Sequence, residues 1–118
     1  MLMENAQAKN NIFFVHYKDK NELYQHYMQF VENGGLFVAT EKTLHLGDEV
    51  FLMVKLIDEP EKFTIAGKVI WITPNAAQGG KTAGVGVQFT SEEAGEFRKI
   101  IETYLAGSLD SERDTETL

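Results

Sequence analysis

The sequence predicts a small, mostly β protein: an antiparallel barrel of five or six short strands, a short helix near the start and an amphipathic helix at the end. Three observations carry this. Residues Gly67–Phe89 hold two β-rich runs, Lys68–Thr73 and Ala83–Phe89, around a loop opened by Pro74 and softened by Gly79 and Gly80. In the first run Val69 and Trp71 alternate with Lys68, Ile70 and Ile72, and in the second Val85, Val87 and Phe89 alternate with Gly84, Gly86 and Gln88. The second pattern has almost no side chain on one face, which suits a tightly curved sheet. Finally, Ala94, Phe97, Ile100, Ile101, Tyr104 and Leu105 fall on one helical face, a stripe that must be covered.

Each element has its own signal. Asn11–Tyr17 is rich in aromatic and branched residues and reads as a strand. Asp19 precedes Glu22 at the spacing of an N-cap and the third helical position. Leu23, Tyr24, Tyr27, Met28 and Val31 then recur at helical spacing, so a helix is expected from Lys20 to Gln29. Asn33-Gly34-Gly35 ends it, because glycine reaches positive φ at little cost. Leu36–Thr40 is a short strand, and Leu46-Gly47-Asp48 turns into another at Glu49–Ile57. Asp58–Lys62, with Pro60, is a polar hairpin loop leading to Phe63–Ile72, a strand interrupted by Gly67. After the 74–82 loop comes the last strand. Thr90 and Glu93 have the spacing of a capping box, and Gly107 stands where a C-terminal cap belongs. The chain therefore divides into a loose N-terminus (1–10), one folded domain (11–107) and a flexible acidic tail (108–118).

Composition narrows the function. With 118 residues, 43% of them hydrophobic and 25% charged, the chain is long enough for one modest core. Net charge is −7, and the last eleven residues, with four acids against Arg113, carry three of those charges, leaving −4 on the part before them. An acidic domain repels phosphate backbones, which argues against nucleic acid as a partner, although exposed aromatics could act as stacking platforms. There is no cysteine, so disulfides, thiolate nucleophiles and cysteine metal sites are excluded. No apolar run approaches the ~18 residues of a membrane span, nor does the start resemble a signal peptide. A cytoplasmic location without membrane insertion is expected.

Taken in order, Asn33–Val38 (NGGLFV), Leu46–Val50 (LGDEV), Gly67–Pro74 (GKVIWITP) and Gly84–Phe89 (GVGVQF) resemble the PilZ domain family over about residues 11–106. Lys20–Tyr24 (KNELY) with Tyr27-Met28 resembles, more narrowly, the short type IV pilus-assembly members after which the family is named. The resemblance implies a six-stranded antiparallel barrel with a C-terminal helix. It also implies a non-enzymatic adaptor for pilus assembly and twitching motility, joining a pilus-extension ATPase of the PilB type to a regulator with a degenerate EAL domain. Trp71 and Tyr24 are the partner-binding positions it gives; Tyr27, on the same expected helix, is the third candidate, with Tyr24 expected to be the exposed tyrosine. Tryptophan and tyrosine suit this because they bring large contact area at low entropic cost. The competing reading of Trp71 is a core residue, as tryptophans in barrel strands often are.

Most PilZ domains bind cyclic di-GMP through Arg-x-x-x-Arg before the barrel and (Asp/Asn)-x-Ser-x-x-Gly in an early strand. This chain has two arginines, Arg98 and Arg113, and none before Phe30. The planar, bidentate donors that would clamp phosphates and guanine edges are therefore missing. With Gly35 as the motif's glycine, Phe30 stands at the Asp/Asn place and Glu32 at the serine place, and a glutamate repels a diphosphate. No cyclic di-GMP binding is expected, the alternative being a receptor with an atypical site. No cofactor and no metal are expected either. His16, His26 and His45 lie in separate segments without ligand spacing. Gly79-Gly80-Lys81-Thr82 lacks the spacing and following helix of a phosphate loop. Glu92, Glu93 and Glu96 open the last helix, where acids favour the dipole. No serine, lysine or carboxylate pair has a visible catalytic partner, so no enzymatic activity is expected.

Overall fold

Five strands form where alternation marks them. They are β1 (Ile12–Tyr17), β2 (Gly35–Ala39), β3 (Glu49–Leu56), β4 (Phe63–Thr73) and β5 (Gly84–Phe89), in one sheet of order β1-β3-β4-β5-β2. Two helices accompany them, α1 (Lys20–His26) and α2 (Ala94–Tyr104). The computed structural model describes residues 11–74 and 82–106; the N-terminal ten residues, the Gly79-Gly80 loop, Gly107 and the acidic tail lie outside the described residues.

The expected six-stranded antiparallel barrel is corrected on two counts. Among the described residues the sheet has five strands, and β1 runs parallel to β3, with Ile12 opposite Phe51 and Tyr17 opposite Leu56. The other three pairs are antiparallel. The reason lies in the connections. β3 and β4 are joined directly, as a hairpin requires, whereas β1 reaches β3 only by way of α1, β2 and the 40–48 segment. Such a crossover brings a strand back in the same direction. β1 and β2 are the two edges and do not pair, so the sheet curls into a half-barrel without closing.

Side chains fill the gap that backbone hydrogen bonds leave. Phe37 has its carbonyl on the open edge of β2, two residues from Gly35, whose carbonyl also faces away from β5 to accept from Met28 N–H. The Tyr17 hydroxyl, carried by β1, donates to that Phe37 carbonyl at 3.2 Å, and both residues are buried. His26 of α1 stands beside them, its ring 5.3 Å from Tyr17 and 6.0 Å from Phe37 between centroids. Leu23 and Tyr24 from the same helix enter the main core.

α1 begins as expected, with Asp19 Oδ1 accepting from Glu22 N–H at 2.8 Å and Glu22 Oε1 accepting from Lys18 N–H at 2.7 Å. It stops at His26, short of the Gln29 that helical spacing suggested. Tyr27 is already extended and bridges Leu36, and Met28 N–H pairs with Gly35. Pairing with β2 outweighs a helical pattern too short to hold itself.

α2 also starts differently from its sequence signal. The Thr90–Glu93 capping box does not form, because Thr90 N–H continues the sheet by donating to the Ala66 carbonyl. Residues 91–93 make a turn, and the helix opens at Glu93 without a side-chain cap. Its apolar stripe is as expected: Phe97, Ile101 and Leu105 are fully buried. Phe97 packs at 5.1 Å from the Phe63 ring and 5.4 Å from the Phe89 ring.

Tyr17→Phe keeps the ring and removes the one hydroxyl that ties the two edge strands. The Phe37 carbonyl then loses this donor inside the core, a loss of about 1–3 kcal/mol. A lower denaturant midpoint with an unchanged slope is the expected result in urea titrations.

Candidate partner-binding site

β4 opposes Val69 to Val87 and then Trp71 to Gly86, leaving Ile70 as the extra residue of a β-bulge. Without the bulge, Val69 and Trp71 would share a face. With it, Val69 joins the main core beside Leu36 and Val87, and Trp71 turns to the other side of the sheet with Phe37. There Met28, Val31 and Phe37 form a second buried cluster, against which Ile70 and Trp71 pack.

The glycines of β5 make room for it. A Cβ on Gly86 would lie 2.8 Å from Met28 Cε and 2.8 Å from Trp71 Cβ, so the glycine face is a seat for side chains from elsewhere. The turn that delivers Met28 and Val31 closes through Asn33 (φ 70) and Gly34 (φ 82), both left-handed. Trp71 is half-buried, and its Nε1 donates to Thr73 Oγ1 at 2.9 Å. Beside it in the chain Ile72 is 42% exposed, and Phe30, on the turn between Met28 and Val31, is 49% exposed. The turn over the cluster thus presents an apolar side chain, Phe30, to solvent, whereas Ile72 pairs with Val85 and lies on the main-core face of the sheet.

The expected tyrosines lie elsewhere. Tyr24, expected to be exposed, is 4% exposed and belongs to the main core, as does Tyr27. A short helix filling the gap between two strand edges has little surface left for solvent. Tyr27 has a different role. Its hydroxyl donates to Glu102 Oε2 on α2 at 2.7 Å, and Arg98 Nε donates to the same oxygen at 3.1 Å. The Tyr27 hydroxyl, more than Arg98, holds the Glu102 carboxyl below its usual range. Burial, reinforced by Glu102, pushes the Tyr27 phenol up, and burial does the same to Tyr17, with Glu22 adding to it.

The positions matching the nucleotide motif surround the same turn. Phe30 and Glu32 are exposed on it, and Gly35 opens β2, where a Cβ would come within 2.6 Å of the Val87 carbonyl oxygen. Glu32 contributes its carbonyl, which accepts from Gln88 Nε2 at 2.9 Å. Arg98 lines a groove of about 330 Å³ with Asn33, Ser91 and Glu92, its guanidinium paired with Glu102 and a carboxylate on the rim. Among the described residues no three potential ligands converge on a metal site, and no helix is long and apolar enough to cross a membrane. Reading the sequence alone missed Phe37 and Met28 as partners of Trp71. The signal was present in Gly84 and Gly86, whose empty face had to be filled by something.

The PilZ domain profile matches residues 10–107 of this chain. Among curated proteins no sequence matches.

Tyr17 and Tyr27, both buried, resist ionisation while the fold persists, and the hydrogen bond to Glu59 raises the Tyr104 phenol as well. The unfolded chain ionises its phenols near pH ~10, so the stability these residues contribute is intact below that pH and declines as pH rises above it. An absorbance titration at alkaline pH is expected to show them titrating late and together with the loss of far-ultraviolet circular dichroism. Four independent phenol titrations near the ordinary value would contradict the burial described.

Proposed function

The chain belongs to the PilZ domain family, and from that premise we propose that it is a cytoplasmic, non-enzymatic adaptor of type IV pilus assembly that does not itself bind cyclic di-GMP. PilZ domains are generally non-catalytic binding domains, which fits a role exercised through contact. Its partners in this reading are a pilus-extension ATPase of the PilB type and a regulator with a degenerate EAL domain, which senses the nucleotide in its place.

The observation that carries the proposal is the missing arginine clamp. No arginine precedes Phe30, and Glu32 stands where a hydroxyl would receive a phosphate. Arg98, beside the Asn33-Gly34 turn, is engaged by Glu102, and Glu92 borders its groove. A single paired guanidinium cannot supply the two forks that grip a cyclic dinucleotide. The bulge-flipped Trp71, half-buried against Met28 and Phe37, with Phe30 exposed on the turn that delivers Met28, supplies the anchor for a protein partner. Tyr24 and Tyr27 act from beneath, by fixing α1 and the turn after it.

Isothermal titration of the full chain with cyclic di-GMP is expected to give no heat of binding, and low-micromolar affinity would establish the receptor with an atypical site. Affinity purification of the tagged chain from its own cytoplasm should recover the ATPase. Trp71→Ala is expected to lower that recovery at least about tenfold, or ~1.4 kcal/mol, with circular dichroism confirming that the variant is folded. Equal recovery by both forms would make Trp71 a packing residue only.

A further inference from the structure

β1 is an edge with an unused side. Phe51 N–H donates to the Asn11 carbonyl and Ile57 N–H to the Tyr17 carbonyl, so in this parallel pair the odd-numbered residues of β1 bond to β3. The N–H and C=O groups of Ile12, Phe14 and His16 therefore point away from the sheet, and among the described residues nothing pairs with them. Unpaired edge groups are a template for another strand.

The side chains of the same residues are apolar where an edge is ordinarily guarded. Phe14 is 71% exposed, and Ile12 is exposed beside it. They stand in register with Phe51 and Met53 of β3, which are half-buried and pack on neither core cluster. β1 contains no lysine and no proline, the usual devices that keep an edge from pairing. The charges lie at its ends. Lys42 sits over the Phe13 ring at 5.7 Å and reaches Asn11 Oδ1 at 3.3 Å, at the start of the strand. Lys18 follows its end, and Lys55 lies opposite His16, donating to the Glu59 carbonyl. Of the nearby acids, Asp19 and Glu22 accept from backbone N–H groups at the start of α1, and Glu49 stands in register with Lys68.

We propose that the open edge of β1 is a docking site for an extended segment of another protein, with alternating apolar residues at its centre and acidic residues at its ends. Backbone pairing at Ile12, Phe14 and His16 supplies the main contact, the patch of Ile12, Phe14, Phe51 and Met53 receives alternate side chains, and Lys18 and Lys42 select the acidic flanks. A second copy of this chain fits poorly. Antiparallel pairing of β1 with itself about Phe14 brings Lys18 of one copy towards Lys42 of the other. This surface is on the edge strand β1, two strands from Trp71 on β4, and shares no residue with the site of the adaptor reading above.

The test uses the full chain and a short synthetic peptide alternating valine and threonine, flanked at both ends by paired aspartates, with a lysine-flanked peptide as its control. The aspartate form is expected to bind about tenfold more tightly at low salt, and this preference to shrink as salt is raised. Hydrogen exchange should show new protection at the Ile12, Phe14 and His16 amides. Phe14→Asp should abolish binding and Phe14→Leu, which keeps an apolar side chain, should retain it; both replace an exposed side chain and leave the β1–β3 ladder intact. Equal binding of the two peptides, or protection confined to other strands, overturns the proposal. So does protection of these three amides in the free chain, since the edge would then be held by the chain itself or by a second copy, which sedimentation would tell apart.

Discussion

The bulge at Ile70 controls the two-sided character of this fold. β4 is long, and a strict alternation along it would send Val69 and Trp71 to one core. That core already holds Leu36, Val85, Val87 and Phe89 at the same end of the sheet, and an indole added there would overpack it. One inserted residue moves the indole across the sheet, where Gly84 and Gly86 leave the space that Phe37 and Met28 then use. The small residues of β5, the bulge of β4 and the turn after α1 are thus three parts of one solution. Changing any one of them changes what the opposite face presents.

The open sheet imposes a second requirement. A half-barrel has two edges, and each exposes backbone groups that must be satisfied or left to solvent. At β2 the chain satisfies them itself: Tyr17 donates to Phe37 and Met28 to Gly35. Those two contacts come from opposite sides of α1, which is why so short a helix is held firmly in place. Tyr27, immediately after it, then reaches α2 through Glu102, so the turn carrying Phe30 is tied to the terminal helix as well as to the sheet. A surface built on such a turn is positioned before any partner arrives, which lowers the entropic cost of association.

What could be read in the sequence was what depends on local pattern. All five strands, the Asp19 cap and the Phe97–Ile101–Leu105 stripe follow from alternation, capping chemistry and helical period. What could not be read depends on distant pairing. The direction of β1 is set by a partner forty residues further along, and no local signal distinguishes a parallel edge strand from half of a hairpin. The end of α1 and the failed Thr90 cap have the same origin, since in each a backbone donor that local rules assign to a helix is claimed by a sheet carbonyl. Tyr24 was misplaced because helical spacing reports which side chains share a face, and says nothing of how much of a short helix is enclosed.

In the proposed adaptor the positions that match the nucleotide motif still have a structural place. Phe30, Glu32 and Gly35 lie on and after the turn that crosses the sheet's outer cluster. A hydroxyl and a guanidinium suit phosphate oxygens; an exposed phenylalanine or a half-buried tryptophan suits apolar side chains. The carboxylate of Glu32 adds a penalty for any anion approaching the same place. Gly35 is required for its close approach to Val87 whatever the turn binds. A glycine at this place without an arginine clamp fits a turn that serves the sheet, and the proposed protein partner would meet the side chains around it.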